Sequence, residues 1–249
     1  MFWTDLDHSF CESKLLGLPE YINSITSIFL SLFGIYGLYN KNNDIFIDIL
    51  YSILFITGIG SFGYNYNGNI GWALFDEIPM ILLIFLSIIY VNNIHNQIII
   101  NSIKNKIIYK IKLIINLFLM ILFIICNTMI NFRLLFPYFF TLISIYLFYE
   151  VNKLLYFVEK NIIYIYYNNI KIILLSALIW VITEIPCKYV NYKILLLGHP
   201  LWYLLIGYGF YNLLQIIYFI KLSCLHNNEI IYDLQYNRCY LLNIKNINV

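Results

Sequence analysis

Charge is what this chain has least of. Lys and Arg number 15 and Asp and Glu 13 among 249 residues, 11% in all, where soluble domains carry roughly 25%. With 61% hydrophobic residues the chain has too little polar surface to face water. That excludes an ordinary soluble domain and predicts a polytopic membrane protein. No nucleic-acid partner is expected: the net charge of +2 carries no such signal, because the lysines are spread thinly. Proline is scarce, five residues in all, so the apolar runs are seldom interrupted. No cleavable signal peptide is visible: residues 1–20 hold Asp5, Asp7, Glu12 and Glu20 and no apolar core.

What the chain does have is long apolar runs. Seven approach the roughly 20 residues needed to cross a bilayer: 21–39, 45–64, 72–91, 111–130, 134–150, 169–186 and 195–221. Their joining loops are short except 92–110, so residues 1–249 are expected to form one all-α domain, a seven-transmembrane-helix bundle. The fifth run is the weakest, with Pro137 near its start, and the Tyr-rich stretch 149–167 is expected to lie at the interface. An outside N-terminus puts eleven of the fifteen Lys and Arg on inner loops and the C-terminal tail. Only Lys14, Arg133, Lys188 and Lys193 remain outside. The positive-inside rule therefore favours a lumenal N-terminus and a cytosolic C-terminus.

Five cysteines follow that sidedness. Cys11 and Cys187 fall outside, Cys224 and Cys239 inside, and Cys126 within a span. Only the outer pair occupies a compartment that permits disulfides, so a Cys11–Cys187 bridge is expected.

Residues 58–80 read GIGSFGYNYNGNIGWALFDEIPM. Gly58, Gly60 and Gly63 have the G-x-G-x-x-G spacing of a dinucleotide-binding turn. That fold needs a preceding strand, a helix opening at the third glycine and an acid about twenty residues on. Here a long apolar run precedes, polar Asn65, Asn67 and Asn69 follow, and Asp76 and Glu77 come too early. The glycines are expected instead to let helices pack closely.

Ionisable groups inside a membrane are costly and mark candidate sites. Ser61 and Asn65 finish the second run, Asp76 and Glu77 open the third, Glu184 closes the sixth and His199 opens the seventh. All belong to the outer end. Ser61 with Asn65, and His199 with Tyr203, are i, i+4 pairs on single helix faces. Five side chains, Ser61, Asn65, Asp76, His199 and Tyr203, are thus expected to meet. The plainer alternative is that the Ser and Asn merely bond neighbouring helices and the Asp and His sit among headgroups.

These blocks resemble the alkaline ceramidase family. GSFGYNYNGNIGWALFDEIPM is similar to its G-S-x-x-F-H and D-E-L-P-M segments, GHPLWYLLIGYGFY to its H-x-x-W-H-x-x-x-G-x-G, SFCES with EYINSITS to its D-W-C-E, and WVITEIPC to its W-N-x-D-x-x-x-C. The resemblance implies a seven-helix amidohydrolase cleaving ceramide to a sphingoid base and a fatty acid, in an ER/Golgi-type endomembrane. It implies catalytic roles for Ser61 and Asp76, a zinc ion on three histidines, and a Cys11–Cys187 disulfide. Calcium near the N-terminus is implied as well. Of the zinc positions only His199 is histidine; the others are Asn65 and Tyr203. The calcium positions are Ser9, Glu12, Lys14 and Asn23, with Lys14 in a place to supply its own cation beside Glu12. Neither metal is expected to bind, and hydrolysis is expected to be weak or absent. A membrane lipid, ceramide or a related sphingolipid, is the expected partner. The alternatives are a non-catalytic lipid-binding descendant, or a seven-helix lipid-receptor-like member of the wider superfamily.

Overall fold

The computed structural model describes residues 10–40, 44–99, 103–129, 135–187, 189–190, 192–225, 231–236 and 241–247. Among them are α1 (Cys11–Leu16), α2 (Tyr21–Tyr39), α3 (Ile45–Asn67), α4 (Ile70–Ile99), α5 (Ile103–Thr128), α6 (Phe136–Leu154), α7 (Lys160–Cys187) and α8 (Gly198–Leu225). Short 3-10 turns at Leu155–Phe157 and Lys193–Leu197 precede α7 and α8. Among the described residues, six helical segments, in α2, α3, α4, α5, α7 and α8, are long and apolar enough to cross a membrane. The chain is a multi-pass membrane protein. Helices are the required solution, because a lipid core offers no partner for unpaired backbone groups. The same setting tolerates Pro79 and Pro186 inside α4 and α7.

The fifth predicted run folds as α6, a helix of 19 residues, but it is not among those six. Its last turn carries Glu150, Asn152 and Lys153, which lower its hydropathy. The Tyr-rich stretch is shared between the end of α6 and the start of α7. A 3-10 turn divides it, and its later part forms the start of α7 at Lys160 rather than 169. Tyr166 secures this arrangement by donating from its hydroxyl to the Phe148 carbonyl at 2.8 Å.

An unpredicted element closes the chain. Strands β1 (Ile231–Tyr236) and β2 (Leu242–Ile247) pair antiparallel with Ile231 opposite Ile247. The Leu242 N–H donates to Asn212 Oδ1 of α8 at 3.1 Å. Six-residue runs are too short to separate from a frayed helix by pattern alone.

The residues divide into two compact units. The first takes Met1–Asn43, Tyr51–Met80 and Asn168–Tyr211. Here α3 and α4 join through a tight turn. Gly68 has φ +67°, the left-handed conformation that suits glycine after a helix. Asn69 then caps α4, its Oδ1 accepting the Trp72 N–H at 3.0 Å. Close approach explains the glycine spacing: a Cβ on Gly60 would collide with the backbone of Phe75 and Asp76. Gly60→Ala is therefore expected to cost about 1–3 kcal/mol through overpacking, read as a lower midpoint of thermal unfolding in detergent. An unchanged midpoint would mean α3 and α4 are not locked there.

The second unit takes Asp44–Leu50, Ile81–Tyr167 and Asn212–Val249. Ile84, Phe85, Ile88, Leu147 and Val151 are among its buried side chains. Asp44 opens α3, accepting the Phe46 N–H at 2.9 Å, the Lys221 ammonium at 2.6 Å and the Tyr90 hydroxyl. Burial by itself raises the carboxyl, but the Lys221 and Tyr90 hydrogen bonds, the Lys221 charge and the Phe46 N–H outweigh it and hold Asp44 below its ordinary value. A carboxylate depressed on folding adds stability above its unfolded pKa and loses it as pH falls through the folded value. Acid unfolding of Lys221→Met should accordingly begin at higher pH than in the parent. Superimposable acid titrations of the two proteins would show that the ion pair contributes nothing.

Candidate functional site

Ser61, Asn65, Asp76, Glu77, Glu184, His199 and Tyr203 all belong to the first unit. Ser61 and Asn65 are buried one helical turn apart on α3, Asp76 is buried on α4, and His199 and Tyr203 are buried on the first turns of α8. The tight Gly68–Asn69 turn folds α4 back on α3, and the Ser61 hydroxyl donates to Asp76 Oδ1. Asn65 Nδ2 donates to the Ser61 carbonyl at 2.8 Å and to the Tyr203 hydroxyl at 2.7 Å. The His199 ring lies 4.9 Å from that of Tyr203, centroid to centroid. The five side chains come together as a contiguous buried polar cluster.

The Asn65 amide can be oriented from chemistry alone. A backbone carbonyl only accepts, so the nitrogen must face Ser61 O. Asn65 Oδ1 is thereby turned away, buried and without a hydrogen-bond partner among the described residues.

One carboxylate missing from the expected site, that of Glu184, enters it, and the backbone of Glu20 borders it. Glu184, predicted at the same end without a role, has Oε1 3.1 Å from Nδ1 of His199. Glu20 starts α2, and its N–H donates to the Asn65 carbonyl at 3.1 Å. Glu20 Oε2 accepts from Asn23 Nδ2 at 2.7 Å. The signal for Glu184 was its place one helical turn before Cys187; for Glu20 it was the position just before an apolar run.

Cys11 and Cys187 are disulfide-bonded, with Cα atoms 5.5 Å apart. Of the implied calcium positions, Ser9 lies outside the described residues. Glu12 spends its carboxylate on the Ile22 and Asn23 N–H groups, each at 2.8 Å, which satisfies the open N-terminus of α2. The Lys14 ammonium donates to the Cys187 carbonyl.

The ceramidase family model, described as Ceramidase, matches residues 7–244. The chain belongs to the ceramidase family. No curated protein matches the chain by sequence.

Family membership implies zinc, and the residues present do not fit it. A catalytic zinc takes three protein ligands drawn from imidazole, thiolate and carboxylate. At the three implied positions this ceramidase-family chain offers one imidazole, an amide and a phenol. The amide and phenol bond each other, and the Asp76 carboxylate is engaged by Ser61. Calcium fits no better. It needs six to eight oxygens, and Lys14 brings a positive charge to one of the positions.

Proposed function

We propose that this ceramidase-family protein recognises ceramide-type sphingolipids within an ER/Golgi-type membrane, N-terminus lumenal, and that its zinc-dependent amide hydrolysis is weak or lost. The Asn65–Tyr203 hydrogen bond at 2.7 Å carries this proposal. It joins two of the three implied ligand positions directly, leaving His199 as the remaining imidazole of the set. What persists is a buried set of hydrogen-bonding groups suited to a small polar headgroup on an apolar chain.

Each residue has a role in holding such a lipid. Among the described residues Asn65 Oδ1 is an unpartnered acceptor, and burying an acceptor unpaired costs about 1–3 kcal/mol. A ceramide supplies donors for it, in its amide N–H and its hydroxyls. The Ser61–Asp76 pair presents further acceptors and a hydroxyl for the lipid amide. Metal-free acyl transfer by a Ser–His–Asp relay finds no support. Such a relay needs the serine on the imidazole, whereas Ser61 donates to Asp76 and His199 Nδ1 pairs with Glu184.

Ceramide binding to the purified protein in lipid nanodiscs tests this. The parent should bind saturably. Asn65→Leu and Tyr203→Phe should each weaken binding by about tenfold, the equivalent of one hydrogen bond of roughly 1.4 kcal/mol. A parent that binds no ceramide sinks the proposal. Stoichiometric zinc with sustained ceramide turnover in the parent would replace it with full hydrolase activity.

A further inference from the structure

Glu184 joins three segments at one carboxylate. It lies on α7, one turn before Cys187. Its Oε1 is 3.1 Å from Nδ1 of His199 on α8. Its Oε2 accepts the backbone N–H of Cys11, the first residue of α1, at 2.8 Å. Glu184 and His199 are only 6% and 3% exposed, so water offers little competition for these bonds. The residue before Cys11 adds a further restraint, since the Phe10 ring meets the His199 ring edge-on with centroids 4.6 Å apart. The Cys11–Cys187 disulfide, 176 residues apart in sequence, holds α1 against the end of α7 where Glu184 sits.

We propose that Glu184 is the positioning residue for His199, keeping the imidazole proton on Nδ1 so that Nε2 carries the lone pair, and that the Cys11–Cys187 disulfide anchors this hold. A carboxylate only accepts hydrogen bonds, so the ring nitrogen facing it must be the protonated one. The nitrogen left over is then the acceptor, and this choice of tautomer is how a partner on one side of a histidine sets the chemistry on the other. The second carboxylate oxygen is equally committed. With Cys11 N–H on Oε2, Glu184 cannot swing away from His199 without breaking a bond to the disulfide-tied segment. His199 would thus present one acceptor nitrogen to a lipid hydroxyl or amide N–H. This deepens the lipid-recognition proposal and rests on His199 being part of that site.

The test is the nitrogen spectrum of His199 in the full chain, labelled with 15N-histidine in detergent micelles and assigned with His199→Gln. In the parent, at a pH where the ring is neutral, Nδ1 should show the protonated shift and Nε2 the lone-pair shift. Glu184→Leu should abolish that pattern, giving the Nε2–H form or a mixture. Reducing the disulfide of the parent with a phosphine should move the spectrum in the same direction. A parent with the proton on Nε2 overturns the proposal, as does a Glu184→Leu spectrum like the parent's. If Glu184→Leu does not fold, the parent spectrum before and after reduction decides alone. Ceramide binding is scored separately. Binding without the Nδ1–H pattern defeats this inference only, and the pattern without binding defeats only the lipid-recognition proposal.

Discussion

Restoring two imidazoles, Asn65→His together with Tyr203→His, is expected to raise zinc from well below stoichiometric to about one ion per chain, the capacity of a three-histidine site. The reason is geometric. Asn65 Nδ2 and the Tyr203 hydroxyl are 2.7 Å apart, and the His199 ring centroid is 4.9 Å from that of Tyr203. Side chains of imidazole size at those positions therefore converge on one point. Ser61 and Asp76 already stand hydrogen-bonded beside it. The double variant should also hydrolyse ceramide faster than the parent, because zinc-bound water ionises near pH 7. Zinc content and fatty-acid release should be measured on parent, single and double variants purified side by side. Each single variant leaves two imidazoles and should hold far less zinc than the double. Equal zinc in parent and double variant would show that the Asn and Tyr were never an obstacle.

Loss of the disulfide should have the second large effect. Cys11→Ser with Cys187→Ser opens a covalent loop of 176 residues, and removing such a link typically costs about 2–4 kcal/mol. The consequence should reach beyond stability. Glu184, which meets His199, also accepts from the Cys11 N–H, so the same change loosens the backbone donor that holds Glu184. Thermal unfolding with and without reductant measures the first effect. Protease sensitivity of the N-terminal segment measures the second. A parent whose unfolding midpoint ignores reductant would show that hydrogen bonds alone hold α1 in place.

Much of this architecture was legible because lipid removes choices. A run of some 20 apolar residues in a bilayer must be a helix, so 21–39 and 45–64 lay within a residue or a few of α2 and α3. Sidedness of the charges paired Cys11 with Cys187. Helical periodicity put Ser61 with Asn65 and His199 with Tyr203 on shared faces. Polar helix ends were harder. Tyr and Asn suit either an interface or a helix, which is why α7 begins earlier than its apolar run and why α6 ends in charged residues outside the six apolar spans. The hairpin was invisible for a different reason: its pairing partner Leu242 depends on Asn212, 30 residues away.

The sequence by itself determined that this is a helical multi-pass membrane protein and which polar residues share one end of its helices. Those follow from composition, spacing and side-chain chemistry, all local properties of the chain. Only the tertiary structure decided who bonds to whom. Asn65 turns its nitrogen to Tyr203, Ser61 chooses Asp76 over His199, and His199 meets Glu184 instead of a serine. A helix fixes the face a residue shares with its own neighbours. The partner across the gap is set by how closely two helices approach and at what register, and at α3 and α4 that approach depends on the missing side chain of Gly60 meeting the backbone of Phe75.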